Sequence, residues 1–310
     1  MSILSPTPEA ILTVGKVIRE GGVVVIPTET VYGLACNALD ADAVRRVFEI
    51  KDRPAENPLI VHIASLDDLG KVASSWPPIA ETLAARYWPG PLTLVLPKHP
   101  SVPSVTTAGL ETVAVRIPSH QIAQDIIVAA GCPIAAPSAN VFMGLSPTEA
   151  RDIDPEIQVE VEHIIDGGPC EIGLESTVID LTEDSPVILR PGVITRAEIQ
   201  AIIGRPLGHT PPAGVRKSPG LYRRHYAPKA KLRIVEELDA KQAGLTFRDP
   251  SNEHQIRMPR DARAYAATLY SSLRRLDDQN VQEIFVAELP EGSEWEAASD
   301  RLKKASEPEP

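Results

Sequence analysis

Residues 6–27 read PTPEAILTVGKVIREGGVVVIP. The first part has helical period. Ile11, Leu12, Val14, Val17 and Ile18 gather on one side, Pro8 sits near the start, and Gly21–Gly22 stops the run. VVVIP (23–27) follows at once, a β-branched run that suits a buried strand. A helix feeding a buried strand is the repeating unit of α/β proteins, and the pattern recurs downstream. Helices are predicted over 41–50 with Asp40 as cap, 78–88 ending at Pro89–Gly90, 119–130 with Ser119 as cap, and 195–203. Strands are predicted at 58–63, 91–97, 112–118, 133–140, 163–166, 176–181 and 187–192. Some connections are hairpin-length and others helix-length, so the predicted fold is α/β with a twisted mixed sheet.

Residues 204–230 sustain no period and are rich in Gly and Pro, which marks a linker after a first domain at 1–203. Beyond it, 232–238 and 281–289 read as strands and 259–277 and 294–304 as helices. A second, smaller α/β domain is therefore expected over 231–310, with the tail ASEPEP disordered.

With 310 residues and 43% hydrophobic side chains, the chain can bury a core and is not disordered throughout. Its 30 prolines argue against a helical bundle, because proline breaks helix interiors. No apolar run approaches the ~20 residues of a membrane span. The N-terminus MSILSPTPEA lacks the basic and apolar regions of a secretory signal. Three cysteines, odd in number and without metal-like spacing, point to a reduced, cytoplasmic setting. Net charge −11 disfavours bulk nucleic-acid binding, but residues 216–233 hold seven cations and no acid. That stripe reads equally as a solvated linker and as a phosphate-binding surface.

Candidate ligand residues cluster at predicted strand ends, where open α/β sheets bind ligands. Thr28, Glu29 and Thr30 follow the first strand, although such a turn often only satisfies its own backbone. Lys51 and Arg53 enter the proline-braced segment that runs through Asn57 and Pro58. A point-charge ammonium and a planar guanidinium are the usual donors to phosphate. A helix C-terminus accounts for Lys51 alone. His62 lies in an apolar strand, as structural histidines often do. Arg116 lies in another and needs an anionic partner, internal or ligand-borne. Ser138 and Asn140 end the strand at 133–140, with Gly144 and Ser146 just beyond. Ser176 begins a strand, and Arg190 ends one beside Pro191–Gly192. Ser138 has no G-x-S-x-G setting, so a serine hydrolase is not expected. Walker A, G-x-G-x-x-G, H-E-x-x-H and paired C-x-x-C patterns are missing, so no zinc site is expected.

Taken together in order and spacing, IPTETVYGLACNA (26–38), KDRPAENPLIVHI (51–63), TVAVRIP (112–118), PSAN (137–140), ESTVID (175–180) and LRPG (189–192) resemble the threonylcarbamoyl-AMP synthase family with its YrdC-type domain. SPGLYRRHYAPKAKL (218–232) resembles the linker of its longer form, whose C-terminal domain is Rossmann-like. The resemblance implies a nucleotidyltransferase that makes threonylcarbamoyl-AMP and pyrophosphate from L-threonine, bicarbonate or CO2, and ATP. The product serves tRNA modification beside the anticodon, so tRNA is a partner only indirectly, through a transferase complex. By motif, Thr30, His62, Arg116 and Ser176 would hold threonine. Lys51, Arg53, Asn57, Thr112, Ser138, Asn140, Ser146 and Arg190 would surround ATP or the carbamate, with Lys51, Arg53, Ser138 and Asn140 as the catalytic set. Tyr226 would fold over the nucleotide. Mg2+ would accompany ATP without a dedicated ligand motif. Residues 239–257 read as short of one strand–helix step of the family's second domain. The competing reading is a non-catalytic RNA-binding module of the same fold, favoured by the basic stripe and opposed by a net charge of −12 over residues 1–205.

Overall fold

The computed structural model describes residues 2–54, 56–208 and 223–308. The first unit runs β1 (Ser2–Leu4), α1 (Pro8–Arg19), β2 (Val24–Ile26), β3 (Gly33–Asn37), α2 (Ala41–Ile50), β4 (Ile60–His62), α3 (Pro78–Tyr87), β5 (Leu92–Pro97) and β6 (Thr112–Arg116). It continues with α4 (Gln121–Ala130), β7 (Ile134–Ala135), α5 (Pro155–Glu160), β8 (His163–Ile165), β9 (Thr177–Asp180), β10 (Val187–Arg190) and α6 (Arg196–Ile203). The ten strands form one mixed sheet in the order β1-β8-β2-β3-β7-β4-β6-β5-β9-β10. Most predicted elements are present, with Thr7 capping α1 and Asp40 capping α2 through side-chain hydrogen bonds. Strands β1 and β3 were not anticipated: the first is a three-residue edge, and the second begins within what reads as a turn. Ser119 does not cap α4. His120 holds the cap position, and the Ser119 N–H instead donates to Glu29 Oε1.

Helices α1 and α4 pack so closely that a Cβ at Gly15 would lie 2.6 Å from Ala129 Cβ and 2.7 Å from its carbonyl carbon. Backbone cannot yield there, so the helices would have to part. Gly15→Ala should destabilise the protein by about 1–3 kcal/mol, although alanine ordinarily favours a helix interior over glycine. A rise in Tm would contradict this packing.

The second unit comprises β11 (Lys231–Val235), β12 (Gly244–Thr246), β13 (Gln255–Arg257), α7 (Ala262–Asp277), β14 (Glu283–Ala287) and α8 (Glu296–Ser306). Its strands form an all-parallel sheet in the order β11-β14-β12-β13. Residues 239–257, expected to lack a strand–helix step, hold two short strands with no helix between them. This reduced unit still closes a core: Leu245, Tyr265, Leu269, Leu273, Ile284 and Val286 are buried together. The tail is also more ordered than expected. Ala305 and Ser306 belong to α8, Ala305 is buried, and Glu307 pairs with Arg223. The linker predicted at 204–230 lies outside the described residues over 209–222, as do Arg216 and Lys217 of the basic stripe. Elsewhere in the stripe Arg223 and Arg233 meet Glu307 and Glu283. Two of its seven cations are thus paired within the chain.

The two units pack directly against each other. Arg274 of α7 donates to the Leu145 carbonyl at 3.0 Å and lies 3.6 Å from Asp154. A Cβ at Gly173 (φ +72°) would sit 2.7 Å from Ala267 Cα, so only glycine lets the two backbones approach this closely.

Candidate active site

The turn after β2 and the segment after β7 are joined by backbone hydrogen bonds. Leu34 N–H donates to the Pro137 carbonyl, Ala139 N–H to Tyr32, and Tyr32 N–H to Pro147. β4 lies parallel to β6, with His62 in register with Arg116. β9 and β10 bring Ser176 and Arg190 to the same end of the sheet. Strand ends from distant parts of the chain thus converge on one cavity. Thr30, Arg53, His62, Arg116, Ser138, Ser176, Arg190 and Tyr226 line it, together with Thr28, Glu175 and His225.

Arg116 is buried and held from three sides. Its Nη2 meets Glu29 Oε1 at 2.6 Å, Nη1 donates to Thr30 Oγ1 at 3.0 Å, and Nε donates to the Gly90 carbonyl at 3.1 Å. Its anionic partner is therefore internal. Nη2, although this close to Glu29, makes no aligned hydrogen bond with any described residue. Burial would raise the Glu29 pKa, but the Arg116 charge outweighs it and holds the carboxylate below its usual range. Thr28 satisfies the turn itself, accepting from Thr30 N and Val31 N. Ser176 Oγ shares a hydrogen bond with Thr93 Oγ1 at 2.7 Å and accepts one from Arg190 Nη2 at 3.1 Å. Burial, then the Arg116 charge, lowers the His62 pKa to about 3, so the ring is neutral. Its Nδ1 has no hydrogen-bond partner among the described residues.

Lys51 ends α2 inside the protein, where its ammonium donates to the carbonyls of Ser138 and Asn140. Burial, and then the Arg53 charge, drives its pKa well below the ordinary lysine value. Lysine here acts as a strut fixing the loop that carries Ser138. Arg53 donates to the carbonyls of Asn57 and Pro58. The Asn57 amide and Asn140 Oδ1 are buried without hydrogen-bond partners among the described residues, a costly condition that a ligand or water would relieve. Ser146 donates to Glu175 at 2.6 Å, one step behind the cavity wall. Thr112 stands apart, at the start of β6 and about 13 Å along the strand from Arg116.

Sequence reasoning missed the contribution of the second unit. Arg301 of α8, 1% exposed, donates to Glu175 Oε2 at 2.8 Å, and Tyr270 of α7 donates to the same carboxylate at 3.1 Å. The available signal was an arginine on the buried stripe of α8, among Ala297, Ala298, Leu302 and Ala305. Burial alone would raise the Glu175 pKa. The charges of Arg301 and then Arg190 reverse this and bring it to about 2.

A family model described as "Telomere recombination" matches residues 16–192, and one described as "Threonylcarbamoyl-AMP synthase, C-terminal domain" matches residues 194–307. A threonylcarbamoyl-AMP synthase of Pyrococcus abyssi is 45% identical, over 93% of this chain and 92% of its own. One of Bacillus subtilis is 39% identical, over 98% of this chain and 94% of its own. The crystal structure of Pyrococcus abyssi Sua5 complexed with L-threonine superposes with a TM-score of 0.91 at 41% identity, covering 99% of this chain and 97% of that one. Two domain models in tandem, relatives matched over nearly their full length and a shared two-unit fold agree: the chain belongs to the threonylcarbamoyl-AMP synthase family.

Proposed function

We propose that this enzyme makes threonylcarbamoyl-AMP from L-threonine, bicarbonate or CO2, and ATP. The observation that carries this reading is Arg116, a buried guanidinium in the cavity lining that it shares with Thr30, His62 and Ser176. It suits a small hydroxy-amino acid: Arg116 for the carboxylate, hydroxyls and neutral His62 for the rest. Arg53 and Arg190 supply positive charge on the other walls for phosphates.

In the reaction, the threonine amine takes up CO2 and loses a proton to give a carbamate. A carbamate oxygen then attacks the ATP α-phosphorus, and the bond to the β-phosphate bridging oxygen breaks to release pyrophosphate. No protein nucleophile is needed, so catalysis consists of positioning and charge neutralisation. Lys51 contributes by holding the Ser138–Asn140 loop. Mg2+ would travel on the nucleotide's phosphates. Glu175, the one carboxylate among the described residues lining the cavity, is already engaged by Arg301, Tyr270 and Ser146. Among the described residues no group of three or more His, Cys, Asp or Glu is arranged to hold a metal ion.

With Tyr226 in place the cavity measures about 50 Å³. That holds a few waters, far short of the ~300 Å³ or more of typical ligand pockets. Nucleotide entry therefore needs the lining to rearrange, and we assign that movement to His225–Tyr226, whose ring can then re-cover the labile adenylate and exclude water. The organisation we propose is a catalytic domain at 1–203, a linker at 204–230 and a small Rossmann-like domain at 231–310. The product would pass to a transferase complex acting on tRNA, in the cytoplasm, where the three free cysteines stay reduced. Among the described residues no helix is long and apolar enough to cross a membrane.

Purified protein should release pyrophosphate from ATP only when threonine and bicarbonate are both present. Release that ignores threonine would overturn the reading. Tyr226→Ala should lower the rate tenfold or more, whereas Tyr226→Phe, which keeps the ring, should retain most of it. Equal losses in both variants would assign the role to the hydroxyl instead.

A further inference from the structure

Glu175 faces the cavity in which we place ATP, so a carboxylate stands where a polyanion must bind. A bare charge there would repel the triphosphate, and the first unit offsets it only in part. Ser146 gives Oε1 a neutral hydrogen bond, and Arg190 is committed to the Ser176 carbonyl and hydroxyl. The direct counter-charge comes from the other unit. Arg301 Nε donates to Glu175 Oε2 at 2.8 Å, and the Tyr270 hydroxyl bonds both carboxylate oxygens at 3.1 and 3.2 Å.

The same guanidinium has a second contact. Its Cζ lies 4.9 Å from the centroid of the Tyr226 ring, which in turn stacks on Tyr270 at 6.2 Å. Its Nη2 is buried without a hydrogen-bond partner among the described residues. A wholly buried arginine is a poor packing residue, since an apolar side chain of similar volume fills such a place without a desolvation penalty. Its position is explained by what it touches: the charged wall of the cavity and the ring that covers it.

We propose that Arg301, seconded by Tyr270, is a positioning residue for the reaction, supplied to the active site by the C-terminal unit. It cancels the Glu175 charge beside the nucleotide and seats Tyr226 over it. The C-terminal unit is thus a working part of the catalytic site. This inference rests on the reading that ATP occupies the cavity.

The test measures binding of a non-hydrolysable ATP analogue and of L-threonine by calorimetry, together with the KM of each substrate. The variants are Arg301→Met, Tyr270→Phe, Glu175→Gln, and Arg301→Met combined with Glu175→Gln. Arg301→Met should weaken nucleotide binding tenfold or more and leave threonine binding within threefold. Adding Glu175→Gln, which removes the uncompensated charge, should restore most of the nucleotide affinity. Tyr270→Phe, a conservative change that keeps the stacked ring, should weaken nucleotide binding two- to fivefold. If Arg301→Met fails to fold, the Tyr270→Phe result decides alone. Unchanged nucleotide affinity in these variants, equal loss for both substrates, or no recovery in the double variant would each overturn the proposal. A wild-type protein that binds threonine but no nucleotide would instead overturn the underlying placement of ATP, and this inference with it.

Discussion

Arg116→Ala should lower kcat/KM for L-threonine at least about a hundredfold, equivalent to ~2.7 kcal/mol of lost transition-state stabilisation. Nucleotide affinity should change far less. The variant should also lose stability, for a separable reason. Arg116 and Glu29 are an ion pair at 2.6 Å, with side chains 4% and 3% exposed. Removing one member strands the other as a buried charge, which typically costs about 3–5 kcal/mol. Adding Glu29→Gln should recover much of the stability, because a neutral amide tolerates the site better, without recovering threonine binding. Urea denaturation and threonine titration of the single and double variants read the two effects independently. Equal loss of threonine and ATP affinity would reject the assignment of Arg116 to the threonine carboxylate.

Acidification should destabilise the protein well above the carboxylate range. Burial lowers the pKa of both His62 and His225 to about 3, with the Arg116 charge adding to the shift of His62. Around His225, Glu175 acts in the opposite direction, and Arg53, Lys51 and Lys304 reinforce burial. An unfolded histidine titrates near 6.5. Below that pH the unfolded chain takes up protons that the folded chain refuses, so stability falls between pH 6.5 and about 3. Each histidine contributes up to about 1.4 kcal/mol per pH unit, and the pair about 4 kcal/mol between pH 7 and 5. Glu175, held near 2, adds its own loss only below about pH 4.5. Urea denaturation at pH 7, 6 and 5 measures the slope. His62→Gln and His225→Gln should each flatten it by about half, and a slope that survives both changes would place its origin elsewhere.

Residues that must make non-local polar contacts inside apolar strands were readable from sequence. Arg116 in VAVRIP and Arg190 in VILRPG are conspicuous because a charge in a buried strand demands a partner, and both line the cavity. Lys51 was legible as a cation but not as a strut, since the carbonyls it holds lie 87 and 89 residues away. Thr112 rested on resemblance alone and lies off the cavity. Strands β12 and β13 escaped notice because three residues carry no measurable alternation. The Arg301–Glu175 contact was illegible for a different reason: 126 residues separate the partners, and only the docking of the two units brings them together.

Strand order also dictates when the first unit can fold during synthesis. Among the described residues β1 pairs only with β8, and β5 acquires its second neighbour in β9. A nascent chain halted before residue 163 therefore leaves β1 unpaired, exposes the open edges of β2 and β5, and lacks the cavity wall that Glu175, Ser176 and Arg190 supply. The sheet is complete only after β8, β9 and β10 leave the ribosome. Such late, long-range pairing makes for slow folding and aggregation-prone intermediates. Truncations upstream of residue 190 should accordingly yield insoluble chains, not a smaller working enzyme.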